Sequence, residues 1–114
     1  MTDEQTRIGF IGQGWIGKHY ADEFEERLYS VVRYALEEPY VQNKDQIKDC
    51  QVVFIAVPTP TTPQGFQIAA VTSALQLLAA GTTAVIKSTM VPGTTEKLQM
   101  QFPDLYVMHS PEFL

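Results

Sequence analysis

The sequence predicts an α/β fold, a doubly wound parallel sheet of about five strands. Three observations point there. Short apolar runs alternate with stretches of helical spacing along all 114 residues, the signature of strand–helix–strand units. One run, Gln51–Val57, is nearly continuous in apolar residues, as suits a strand buried on both faces of a parallel sheet. Most of the conspicuous glycines, prolines and hydroxyls follow strand ends, on the edge where open parallel sheets take their ligands.

Each element has its own reason. Arg7–Ile11 is a β-type run that stops at Gly12. From Gly14 to Leu28, Ile16, Tyr20, Phe24 and Leu28 recur every four residues, with Gly17 and Ala21 beside them; that is one face of a helix. The acids Asp22, Glu23, Glu25 and Glu26 fall largely outside the stripe. Ser30–Leu36, rich in valine and tyrosine, is a second strand, and Glu37–Asp49 is polar and interrupted by Pro39, with room for one or two helical turns near Asn43–Lys48. After the third strand, Gln51–Val57, the prolines of Pro58–Gly65 exclude helix and central strand and leave a stiff loop, because proline fixes φ and donates no hydrogen bond. Ile68, Val71, Leu75 and Leu78 sit at helical spacing within Phe66–Ala80, and Gly81 stops that helix. Thr83–Lys87 is a fourth strand, Val91–Thr95 opens a helix that turns Leu98 and Phe102 inward until Pro103–Asp104 breaks it, and Leu105–His109 is a fifth strand. With right-handed crossovers, the first three strands lie side by side and the fourth returns to the far side of the first. The expected order is 3-2-1-4-5, with its switch point between strands 1 and 4.

The length fits one domain, residues 1–114. With 45% hydrophobic against 18% charged residues the chain is not disordered. The net charge of −5, with its densest run the acidic Asp22–Glu26, excludes a nucleic-acid partner. A small anion held by backbone N–H groups needs no basic side chains and stays compatible. The single Cys50 forbids an internal disulfide and a multi-cysteine zinc site, so no metal is expected and a reducing compartment is the default. The amino-terminal segment has no signal-peptide core, and no apolar run approaches the about 18 residues of a membrane helix. The chain reads as soluble and cytoplasmic, with no membrane partner.

The sharpest motif is Gly12-Gln13-Gly14-Trp15-Ile16-Gly17, which follows an apolar strand and opens a helix. In that context Gly-x-Gly-x-x-Gly is a dinucleotide fingerprint: a tight turn, close approach to a pyrophosphate, and close helix packing, with the helix N-terminus holding the phosphates. A strand–helix turn without ligand is the competing reading. An acid at the end of strand 2 is the usual partner of the ribose hydroxyls. Glu37 lies 20 residues beyond Gly17, while Ala35 occupies the more usual position. Glu37 is therefore either a ribose ligand from a later position or a solvated loop acid. Arg33 reads as a strand residue facing solvent.

Three further segments, Val53–Thr61, Ile86–Thr95 and His109–Leu114, together with the glycine motif, resemble the UDP-glucose/GDP-mannose dehydrogenase family, in the right order from about Ile8 to Leu114. The resemblance implies a Rossmann-like domain and an NAD-dependent, two-step oxidation of the C6 alcohol of a nucleotide sugar. It implies that Gly12, Gln13, Gly14, Trp15, Ile16 and Gly17 form the pyrophosphate turn, that Val57, Pro58 and Thr59 line the dinucleotide, and that Ser88 and Thr89 lie near the nicotinamide. Thr89 and Glu112 match the family's residues close to the reacting centre, Thr89 ordering a catalytic water. Against this, Thr89 also reads as a helix-capping hydroxyl, and Glu112 as a solvated loop acid.

The departures are as informative. Ala35 stands where the family carries an aspartate, which predicts weak NAD binding. The family's nucleophilic cysteine and sugar-binding domain lie beyond the Pro-Glu-Phe-Leu motif, so the chain reads as the NAD-binding portion of a longer enzyme, inactive alone. Cys50 precedes strand 3, away from the site, and reads as a packed thiol. An open sheet edge favours self-association. Two alternatives stand beside this reading: a non-catalytic nucleotide-binding or assembly module derived from the family, and a hydroxyacid-type dehydrogenase, against which the Pro-Thr-Pro and Pro-Glu-Phe-Leu motifs argue.

Overall fold

The computed structural model describes residues 6–12, 15–27, 29–59, 61–63, 65–66 and 68–110. Its elements are β1 (Arg7–Ile11), α1 (Trp15–Glu26), β2 (Ser30–Tyr34), a 3₁₀ helix (Tyr40–Asp49), β3 (Val52–Ile55), β4 (Thr61–Thr62), β5 (Gly65–Phe66), α2 (Ala69–Leu75), β6 (Thr83–Ile86), α3 (Thr94–Gln101) and β7 (Tyr106–His109). Five strands form one parallel sheet, in the order β2-β1-β3-β6-β7. The predicted α/β class and doubly wound sheet are borne out.

The predicted strand order is corrected. Counting only the sheet's five strands along the chain, the order is 2-1-3-4-5, not 3-2-1-4-5. The chain leaves β2, packs its 3₁₀ helix beside that strand, and crosses to the far side of β1, pairing Ile8 with Val52 and Ile11 with Ile55. The physical reason lies in the two strands themselves. Val53 and Ile55 are fully buried on one face of β3 and Phe54 packs into the apolar cluster on the other, so the strand needs the cover on both faces that a central position supplies. The edge falls to β2, which carries Arg33 and the half-buried Ser30. The switch point therefore lies between β1 and β3, so the glycine turn and the Pro58 loop become direct neighbours.

Two apolar layers hold the sheet. On one face Ile8, Phe10 and Ala21 pack with Tyr20, Phe24 and Phe54. Phe10 and Phe54 stack with centroids 5.0 Å apart, and Phe24 meets both rings; such pairs contribute about 0.5–1.5 kcal/mol beyond their burial. On the other face Val53, Ile55, Ala84 and Ile86 meet Ile47 of the 3₁₀ helix, Val71 and Leu75 of α2, and Leu98 of α3. Tyr20 and Phe24 are the inward stripe expected of α1; the side chains of Ile16 and Leu28 lie outside the described residues.

Beyond shifts of one to three residues at most element ends, two segments differ from the sequence reading. The expected loop 58–65 contains half of a small hairpin, Thr61 pairing with Phe66 and Thr62 with Gly65. Its turn holds Pro63, whose fixed φ suits a turn. The expected helix Phe66–Ala80 is the seven-residue α2. Its apolar period outlasts it because the chain continues in tighter turns: Leu77 N–H donates to the Ala74 carbonyl and Leu78 N–H to that of Leu75. No helix among the described residues is long and apolar enough to cross a membrane.

Candidate functional site

The carboxyl ends of β1, β2 and β3 open into a cleft of about 780 Å³. Its floor is Ile11 and Gly12, one wall is Tyr34, Ala35, Leu36 and Glu37, and another is Ala56, Val57 and Pro58. Ala70, Ser73, Ala74 and Leu77 from α2 and its following turn face it, with Lys44 of the 3₁₀ helix.

Gly12 is the hinge of this cleft. Its φ is +100°, and a Cβ there would stand 2.2 Å from the Ala56 carbonyl oxygen, so no side chain fits. Its N–H donates to the Tyr34 carbonyl at 2.7 Å, while Ala56 N–H donates to the Ile11 carbonyl at 2.9 Å. Both neighbours thus grip the end of β1. The Gly12 amide is engaged in the sheet, and the donors left for an anion belong to the residues after it. The backbone of Trp15, Ile16 and Gly17 forms the first turn of α1, where helix N–H groups have no internal partner and the helix dipole is positive. Gln13 and Gly14 lie outside the described residues.

The loops after β3 and β6 are stitched into one edge. Ser88 Oγ accepts from Val57 N–H at 3.0 Å and donates to the Val57 carbonyl at 2.7 Å. Thr59 Oγ1 donates to the Thr89 carbonyl at 2.8 Å, and His109 Nε2 to that of Ser88 at 2.9 Å. Ser88 is buried with its hydroxyl held by Val57, so it holds the loop that forms the cleft wall. Thr89 is exposed on this edge. It does not cap α3, whose N-cap is Gly93 at φ +89°, so the capping reading of Thr89 is set aside. Of the residues expected at the cofactor, Gly12, Glu37, Val57 and Pro58 line the cleft, while Thr59, Ser88 and Thr89 extend the same edge. Glu112 lies outside the described residues.

Several features carried no signal in the sequence reading. Lys44 reaches the cleft from a polar segment, and Ala70, Ser73 and Ala74 face it from α2, where only their small side chains hint at a ligand. Lys87 is buried at the end of β6, its Nζ 4.7 Å from the Tyr20 ring centre and donating to Ser110 Oγ at 3.3 Å. Arg33 has turned away from the cleft to Asp22, at 2.7 Å, and Glu25. That hydrogen bond from Arg33 holds the Asp22 carboxyl below its usual range. Cys50 sits at the amino edge of β3, where burial pushes its thiol up to about 11. It is the packed thiol the sequence suggested.

A parallel sheet whose switch-point cleft begins at a glycine turn and a helix N-terminus defines a dinucleotide-binding α/β domain. Residues 23–114 match the family model described as the UDP-glucose/GDP-mannose dehydrogenase family, NAD binding domain, and the chain belongs to that family. NAD is accordingly the cofactor of the domain.

Among solved structures, the chain is similar to the UDP-D-ManNAc dehydrogenase of Pyrococcus horikoshii, with 24% identity, 96% of this chain and 37% of that one covered, and a TM-score of 0.82. It is similar to the UDP-glucose dehydrogenase of Pyrobaculum islandicum at 22% identity, 97% and 37% coverage and a TM-score of 0.79. For the GDP-mannose dehydrogenase of Pseudomonas aeruginosa the values are 19%, 96% and 36%, and 0.77. At these identities the likeness is one of fold. The chain spans little more than a third of the length of these three proteins. No curated protein compared with the chain matches it.

Proposed function

We propose that residues 1–114 form a single domain that binds NAD along the switch-point cleft and serves as the cofactor-binding portion of a nucleotide-sugar 6-dehydrogenase acting on UDP-glucose or a related sugar nucleotide. The single observation that carries the reading is the junction at Gly12. There a positive φ and a 2.2 Å approach to Ala56 make glycine obligatory, and the first turn of α1 follows directly. The amides of Trp15, Ile16 and Gly17, with those of Gln13 and Gly14, hold the diphosphate.

The adenosine half lies against Ala35, Glu37 and the small residues of α2, with Glu37 accepting from the ribose hydroxyls. The nicotinamide half runs past Val57 and Pro58 toward Thr89. Bound there, NAD⁺ would supply the hydride acceptor for oxidation of the alcohol carbon. The chain's own residues orient that ring and exclude water from it, since Ser88 and Thr59 pin the loop that walls the cleft. Thr89 supplies a hydroxyl that orders a water, and Glu112 a carboxylate, near the reacting centre. No thiol among the described residues lies on the carboxyl edge, Cys50 being at the opposite one. A covalent step through cysteine therefore falls to residues other than these.

Isothermal titration calorimetry tests the proposal. NAD⁺ and ADP-ribose are expected to bind with one-to-one stoichiometry. Absence of binding by NAD⁺, NADP⁺ and ADP-ribose alike contradicts it and leaves an assembly module built on the same sheet.

A further inference from the structure

The cleft's adenosine end carries an arrangement the family's cofactor does not require. An acid at the end of the second strand has two effects: it accepts from the ribose 2′-hydroxyl, and its charge repels a 2′-phosphate. Here that position is Ala35, buried, with its methyl group in the cleft wall. The nearby cation on the strand, Arg33, is paired with Asp22 and Glu25. Glu38, the second acid after β2, accepts from Gln42 Nε2 at 2.6 Å. Among the described residues, the charged side chains lining the cleft are one acid and one base, Glu37 and Lys44.

Lys44 is held there by its neighbour. Asn43 Nδ2 donates to the Arg33 carbonyl at 2.8 Å, clamping the 3₁₀ helix to β2 two residues before Ala35 and presenting Lys44 to the cleft. No ion pair among the described residues engages Lys44.

We propose that the adenosine end admits a 2′-phosphorylated cofactor as well as NAD, with Lys44 as the 2′-phosphate contact and Glu37 as the contact for an unmodified ribose diol. The proposal rests on the placement of the dinucleotide in this cleft. A lysine ammonium is a compact point charge that pairs with phosphate without a fixed fork geometry. Glu37 and Lys44 are both exposed, so solvent and salt soften the repulsion of the one and the attraction of the other alike. The net effect of Ala35, Glu37 and Lys44 together is weak discrimination between the two cofactors.

The test is calorimetry with NAD⁺ and NADP⁺ on the unaltered chain and on Lys44→Ala, Lys44→Arg and Glu37→Gln, with circular dichroism to confirm folding. NADP⁺ is expected to bind within about tenfold of NAD⁺. Lys44→Ala weakens NADP⁺ about tenfold or more and leaves NAD⁺ within about twofold. Lys44→Arg restores NADP⁺, and Glu37→Gln shifts the ratio toward NADP⁺. Binding of NAD⁺ with NADP⁺ more than about tenfold weaker overturns the proposal. So does an equal loss of both cofactors in Lys44→Ala. Binding of neither cofactor to the unaltered chain removes the dinucleotide reading itself, a separate result from a preference for NAD⁺.

Discussion

Replacing Gly12 by alanine puts a methyl group where β1, β2 and β3 meet. Two costs follow. A residue with a Cβ held at φ +100° pays roughly 1–2 kcal/mol in left-handed strain. The added carbon also stands 2.2 Å from the Ala56 carbonyl oxygen and 2.8 Å from its carbon. Backbone cannot yield as a flexible side chain does, so the ends of β1 and β3 must part, at the typical overpacking cost of about 1–3 kcal/mol. The parting also strains the bonds from Gly12 to Tyr34 and from Ala56 to Ile11. The combined loss of about 2–5 kcal/mol is a large share of the about 5–15 kcal/mol of a typical domain. Gly81 is the internal control: its φ is +89°, but nothing lies within 4 Å of an added Cβ, so Gly81→Ala carries the strain alone. Urea denaturation of the two variants, compared at similar m-values, measures the difference. Gly12→Ala is expected to lose at least about 1 kcal/mol more than Gly81→Ala. Equal losses would refute the argument that close approach, rather than φ alone, fixes glycine at this corner.

Three further outcomes are expected. Ala35→Asp adds a second ribose acceptor beside Glu37 and tightens NAD⁺ by about tenfold or more, the effect of one charge-assisted hydrogen bond; calorimetry showing no change, or weakening, counts against the placement of the adenosine. Ser88→Ala leaves the Val57 N–H and carbonyl without their partner. It should lower stability by about 1–3 kcal/mol and weaken NAD⁺, as a thermal melt and a titration of the same sample will show. For Cys50, whose pKa is raised from 9.0 to about 11, the folded state favours the protonated thiol. The resulting stability is present below about pH 9 and lost as pH rises toward 11. Urea midpoints at pH 7 and 10.5 for the parent chain and Cys50→Ala should diverge with pH for this reason alone; parallel curves refute it.

The strands were legible because burial leaves a mark on composition. Gln51–Val57 announces a buried strand, and β3 is one. Its neighbours were not legible. An apolar run says that both faces are covered, but not which strands lie beside it, and that was decided by a polar 3₁₀ connection whose residues carry little periodic signal. Helix α2 was over-extended because Leu77 and Leu78 keep the apolar period in turns that are no longer α-helical. At the site, Gly12 was read from its context, since only a turn that excludes a Cβ needs glycine there. Val57 and Pro58 were read from motif position. Ser88 and Thr59 were likewise placed at the cofactor by the family motifs, and the structure shows their hydroxyls bonded to the backbone of facing loops. Lys44, Ala70 and Ala74 were silent: a lysine in a polar stretch and alanines on a helix are what solvent and packing produce without any ligand.

The most direct measurement is a crystal structure of the chain soaked in NAD⁺. The diphosphate is expected within hydrogen-bond distance of the first-turn amides of α1, between Gly12 and Pro58, with the adenosine beside Ala35. Ordered cofactor whose phosphates lie away from that turn, at full occupancy elsewhere on the sheet, contradicts the reading.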